Sequence, residues 1–210
     1  MAFLRAVKMK YRAMNFEEEP DDLNHCDDFE AIEEDQPVDN VISFMKERGH
    51  EFSPYTVDWA RETVLFVRTQ EGVDLKEHFY LQLAQRTYVR GLLSIPFSHL
   101  PAVAAAVAER IADVRNIFVY ITARCGSTLV VKATNALPSA MAIHAPDVYS
   151  IIAMAYGQVQ NGETRVTPAR FPTFYETTRV LSPSSETSAR FITTTLSAMT
   201  RRDDRPSCIR

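Results

Sequence analysis

The strongest constraint on the fold is a change of pattern within residues 116–137, NIFVYITARCGSTLVVKATNAL. An apolar, β-branched run at 117–121 stops at a small polar turn, 122–128, and a helix-compatible segment follows at 129–137. A buried strand that feeds a tight turn and then a helix directs several backbone N–H groups at one point, the arrangement that holds tetrahedral oxyanions. Gly126 stands alone in this part of the chain, with Gly91 and Gly157 its nearest glycine neighbours, and the hydroxyls of Ser127 and Thr128 follow it directly. Arg124 adds a fixed charge and a forked donor. Strand–turn–helix units of this kind are common and many bind nothing. The arginine and the paired hydroxyls favour a ligand here.

The turn is not a Walker A loop, which needs G-x-x-x-x-G-K-[ST]. Ile121 occupies the first glycine position and Ser127 the lysine position, so an ordinary ATPase or GTPase is disfavoured. The run Arg124-Cys125-Gly126-Ser127-Thr128-Leu129 instead resembles the 5′-phosphosulfate loop of P-loop sulfotransferases, commonly R-[SC]-G-[ST]-T-L. The resemblance implies that Arg124, Cys125, Gly126, Ser127 and Thr128 bind the donor 3′-phosphoadenosine-5′-phosphosulfate. It also implies a parallel sheet with flanking helices. No metal is expected, because a sulfuryl group carries less charge than a phosphoryl group and amides with one basic residue can stabilise its transfer.

Downstream, Pro138-Ser139 stops the helix and 140–144 is a short apolar run. A second helical pattern covers 148–156, with Pro146 in its first turn. In the sulfotransferase pattern the second strand ends in Glu-Pro, and the Glu serves as base for the acceptor hydroxyl. Ala145 stands in its place, and His144 beside it is the candidate catalytic base, since imidazole titrates near neutrality. Asp147 reads equally as a helix cap. Two functions therefore compete. One is sulfuryl transfer to a hydroxyl or amine of a small-molecule or glycan acceptor. The other is a catalytically inactive anion- or nucleotide-binding module, favoured by Ala145 and by the lack of a clear 3′-phosphate site. About eighty residues follow the turn, few for a complete doubly wound sheet, so a truncated or divergent member of the family is expected.

The remaining composition bounds rather than directs. A net charge of −4 over 210 residues offers no basic field for nucleic acid. No segment has the apolar length to cross a bilayer. Cys26, Cys125 and Cys208 are odd in number and far apart, giving neither a disulfide framework nor a zinc pattern, and His25 with Cys26 lacks a second ligand pair. A cytoplasmic address follows, with a mitochondrial one suggested by the basic, acid-free residues 1–16. The oligomeric state is open.

The organisation expected is α/β: a partial P-loop parallel sheet with flanking helices, preceded by an α-rich extension. Residues 1–40 read as a disordered segment, acidic from 17 onward. Residues 41–113 read as a mostly helical accessory region, 114–200 as the partial P-loop domain and 201–210 as a flexible tail. Within the accessory region a helix is expected from Val41 to a Gly49 stop, a strand at 63–67, a helix over 79–93 and another over 98–114 begun by Ser98 and Pro101. A third strand of the sheet is expected at 190–196.

Overall fold

A computed structural model describes residues 1–10, 23–78, 80–113, 115–121, 126–144, 146–160 and 189–195. The chain is α/β, and its larger sheet is antiparallel. Strands β1 (Ala2–Met9), β2 (Phe29–Ala31), β3 (Gln36–Val38), β4 (Phe52–Asp58), β5 (Thr63–Thr69) and β6 (Val89–Pro96) pair in the order β2-β1-β6-β5-β4, with β3 also on β1. This corrects the expectation of an α-rich extension ahead of a parallel P-loop sheet: the larger sheet, built from the first hundred residues, is antiparallel. The physical reason lies in the connections. β4 and β5 are joined by a short turn with Glu62 at φ 53°, too short for the crossover that parallel neighbours need.

Of the segment 1–40, read as disordered from its charges, residues 1–10 and 23–40 carry β1, a 3-10 turn, β2 and β3, and 11–22 lie outside the described residues. Basic side chains of β1 meet acidic residues of the segment 30–35: Arg5 pairs with Asp35, and Lys8 lies 3.2 Å from Glu30. Both pairs are exposed and contribute little. What fixes the segment is the backbone ladder of β1 with β2, β3 and β6 and the burial of Val7 and Phe29. A 3-10 turn at Cys26–Asp28 then lays residues 23–29 across one face of the sheet.

That covering explains a pattern that alternation alone would not give. Every residue of β4 is buried, because both faces of the sheet are packed. On one face Phe52, Val57, Val64, Phe66, Leu93 and Ile95 meet the helices α1 (Val41–Arg48), α3 (Leu100–Ala108) and α5 (Asp147–Gln160). On the other, Tyr55, Leu65, Val67, Val89 and Leu92 meet Val7 and Phe29. Each fully buried side chain of this size contributes about 1.5–3 kcal/mol. The region 41–113 is thus built on three strands as much as on helices. The expected strand at 63–67 is present, and the 79–93 helix is shorter: α2 (Leu81–Tyr88) gives way at once to β6.

The helix ends refine the sequence reading. Asn40 caps α1, its side chain accepting the Ser43 N–H at 3.0 Å. Gly49 follows α1 with φ −56°, so it ends the helix without the left-handed turn glycine usually supplies. Pro101 sits in the first turn of α3, but Ser98 lies in a preceding 3-10 turn and does not cap it.

A second sheet of three strands is parallel. β7 (Arg115–Ile121), β8 (Ala140–His144) and β9 (Ala189–Thr195) pair in the order β7-β9-β8. α4 (Ser127–Asn135) connects β7 towards β8 and packs on β8 and β9, whereas α5 lies between β9 and β4. α5 is therefore the layer shared by the two sheets, with Val148, Tyr149, Ile152 and Ala155 in the main core. Among the described strands β8 is at the edge, and Asn135 covers part of it: its side-chain oxygen accepts the Ala142 N–H at 2.6 Å. Exposed backbone donors on an edge otherwise invite pairing with other chains. The tail 201–210 lies outside the described residues.

Candidate functional site

The carboxyl ends of parallel strands are where α/β sheets place their ligands, and here β8 ends in His144. Gly126 precedes α4 in the left-handed region, φ 84° and ψ 21°. This is a conformation that glycine adopts without the clash a Cβ would bring. A Cβ added at Gly126 would meet nothing within 4 Å among the described residues. The amides of Leu129 and Val130 bond the Gly126 carbonyl at 2.9 and 3.3 Å. By helix geometry the N–H groups of Ser127 and Thr128 have no intrahelical acceptor. Thr128 is exposed and Ser127 half-buried.

Two of the expected site residues come together. Ser127 Oγ, in the first turn of α4, lies 3.4 Å from His144 Nε2 at the end of β8, although 17 residues separate them. His144 is buried, and burial alone pushes its pKa below the ordinary imidazole value. At neutral pH the ring is therefore neutral, the state a proton acceptor requires. Tyr80, which sits just before α2, presents its ring edge-on to His144, centroids 5.4 Å apart. Arg124 and Cys125 of the expected loop, and Ala145, lie outside the described residues.

Asp147 does more than cap. Its carboxylate accepts the Asn24 N–H at 3.0 Å and lies 3.7 Å from Arg86 Nη2, with 7% and 10% of the two side chains exposed. Arg86 Nε donates to Asn24 Oδ1 at 3.0 Å and reaches Tyr55 Oη at 3.4 Å. Asn24 Nδ2 donates to the Tyr55 carbonyl at 3.2 Å and to Gln85 Oε1 at 3.4 Å. Gln85 Nε2 in turn donates to Ser53 Oγ at 2.8 Å and the Pro54 carbonyl at 3.0 Å. The Tyr55 hydroxyl donates to Asp28 at 2.7 Å, and the same carboxylate oxygen accepts the His25 N–H at 2.7 Å. A buried, connected polar network thus ties residues 24–28, β4 and α2 to the first turn of α5, three residues after His144.

A bulge makes this network possible. Pro54 pairs with Phe66 and Thr56 with Leu65, so Tyr55 is the extra residue of β4. Bulges re-aim a side chain, and here the phenol is directed at Asp28. Burial and the adjacent Asp28 push the Tyr55 pKa well above its ordinary value, so it remains a donor.

None of Asn24, Arg86 or Tyr80 stood out in the sequence. A polar, charged pair at Gln85-Arg86 on the inward side of α2 was the available signal, since a buried Arg requires partners. The ligand atoms of His25, Cys26 and Asp27 also lie within 4.8 Å of one another. However, His25 Nδ1 accepts the Asp27 N–H as a cap at 3.2 Å, and burial raises the Cys26 thiol pKa. The first occupies one of the two ring nitrogens, and the second disfavours the thiolate that ligation needs.

No helix among the described residues is long and apolar enough to cross a membrane. No family model, curated protein or solved structure matches the chain.

Proposed function

We propose that the chain is a sulfotransferase-like transferase that binds 3′-phosphoadenosine-5′-phosphosulfate at residues 124–128 and moves its sulfuryl group to a hydroxyl or amine. The observation that carries this reading is the approach of His144 Nε2 to Ser127 Oγ at 3.4 Å. It places a neutral imidazole beside the first turn of the helix that would receive the anion. Two features support it further. Gly126 has open space where a side chain would stand, and the order β7-β9-β8 sets β7 and β8 on either side of the central strand.

In this mechanism the Ser127 and Thr128 hydroxyls, the adjacent amides and Arg124 hold the phosphosulfate oxygens and stabilise charge as it develops on the leaving phosphate. The acceptor oxygen forms a bond to sulfur as the bridging S–O bond breaks. Its proton passes to His144 Nε2. Tyr80 limits the ring to one orientation, and Asp147, held by Asn24 and Arg86, fixes the backbone just beyond it.

Calorimetry with 3′-phosphoadenosine 5′-phosphate tests the assignment. Arg124→Ala is expected to weaken binding by about tenfold or more, while His144→Gln retains binding and loses turnover. Unchanged affinity in Arg124→Ala, or a thermal shift with ATP–magnesium alone, overturns it. Ala145, standing where the family pattern has its Glu, favours a second reading, an anion-binding module without turnover. In that case wild type binds the nucleotide and transfers nothing.

A further inference from the structure

A second site is built away from the His144 turn. A cleft of about 860 Å³ is lined by Arg48, Arg68 and Arg90, by Glu51 and Gln70, and by Met141, among others. Its size is that of small-ligand sites. Met141 lies three residues before His144 on β8, about 10 Å along the strand.

Two local irregularities aim the arginines. Arg68 pairs with Gly91 and Thr69 with Val89, so Arg90 is the unpaired residue of a bulge in β6. A bulge turns its side chain out of the normal alternation. Gly91 lets Arg68 lie across β6, since a Cβ there would come within 3.3 Å of Arg68 Nε.

The guanidinium groups are held before any ligand arrives. Glu51 bonds Arg48 through two contacts of 2.7 Å and reaches Arg68 at 3.6 Å. Arg48 holds the Glu51 carboxyl below its usual range, so this brace stays charged into mild acid. Arg90 donates to the Val89 carbonyl at 2.8 Å and to Gln70 Oε1 at 2.9 Å. Both are neutral acceptors, and among the described residues Arg90 has no carboxylate partner. Glu71 and Asp74 also line the cleft. Three carboxylates against three guanidiniums give no field for a long polyanion. Local forked donors suit one compact dianionic group.

We propose that this cleft binds a phosphorylated small molecule, its phosphate on Arg68 and Arg90 and its body against Met141 and Leu75. The site is separate from the 124–128 turn and does not depend on the transferase reading.

Inorganic pyrophosphate is the probe, titrated calorimetrically at constant ionic strength into the full chain carrying Arg124→Ala, which silences the turn. Binding is expected to persist in that background. Adding Arg90→Gln raises Kd about tenfold, and Arg68→Gln with Arg90→Gln about a hundredfold. Arg90→Gln is expected to keep the melting temperature, because it loses only contacts to Gln70 and a carbonyl, so the test survives any folding defect of the double change. Nucleotide binding at the turn, measured with Arg124 intact, is unaffected by either change. Loss of all pyrophosphate binding with Arg124→Ala, or an unchanged Kd in Arg90→Gln, overturns the proposal.

Discussion

Replacing Tyr55 by Phe removes one oxygen from the buried network and leaves the ring in place against Phe29, 4.8 Å away between centroids. The hydroxyl lost donates to an Asp28 carboxylate at 2.7 Å, and Tyr55 has no exposed surface. A hydrogen bond to a charged partner in such a setting is worth about 1.5–3 kcal/mol. Asp28 keeps its bond from the His25 N–H, which places the expected loss near the lower end, about 2 kcal/mol. With a urea slope of about 2 kcal/mol per M, the midpoint should fall by about 1 M with the slope unchanged. A double-mutant cycle with Asp28→Asn should return a coupling of about 1 kcal/mol or more. A midpoint shift under about 0.2 M, or additivity within about 0.5 kcal/mol, would mean that residues 24–28 are not docked on the sheet. The account of how Asp147 is held would fall with it.

Arg86→Met strands Asp147 in a buried position and should cost about 3 kcal/mol in a thermal or urea melt, as broken buried pairs do; a loss within about 0.5 kcal/mol would show the pair to be dispensable. Because burial depresses the His144 pKa, the unfolded chain binds a proton more readily than the folded one. Stability is then full above about pH 6.5 and declines as pH falls through the lower folded value, and urea midpoints from pH 8 to 5 should show a decline that His144→Gln reduces. Gly126→Ala has space for its methyl but must hold φ near 84°. It should cost about 1 kcal/mol and weaken nucleotide binding, and a rise in melting temperature would contradict the left-handed turn.

The second half of the described chain was largely legible in the sequence. The apolar run before a polar turn gave β7 and α4, Pro138 and Pro146 bounded β8, and the β-branched residues at 190–195 marked β9. These signals are local, which is why they survive without knowledge of the fold. The first half misled for the opposite reason. The charges of residues 17–40 describe how a chain behaves alone, whereas Asn24 and Asp28 acquire partners at Tyr55, Gln85 and Asp147, far along the chain. The bulges at Tyr55 and Arg90 were likewise invisible, since a bulge is a relation between two strands. At the candidate site His144 and Ser127 were each marked by position after a strand or turn. Arg86 and Tyr80 were not, because their placement depends on how α2 docks.

The arrangement of β7 and β8 on either side of β9 carries a consequence for how the molecule is made. Among the described residues, neither of the first two has a hydrogen-bonding neighbour in its own sheet until the third, some seventy residues beyond β7, arrives between them. A nascent chain therefore holds two bare ribbons in waiting, and the late strand must satisfy both at a stroke. Assembly of this sheet is all or nothing, and the growing polypeptide is most exposed to chaperones, proteases and its own neighbours in the interval before that insertion.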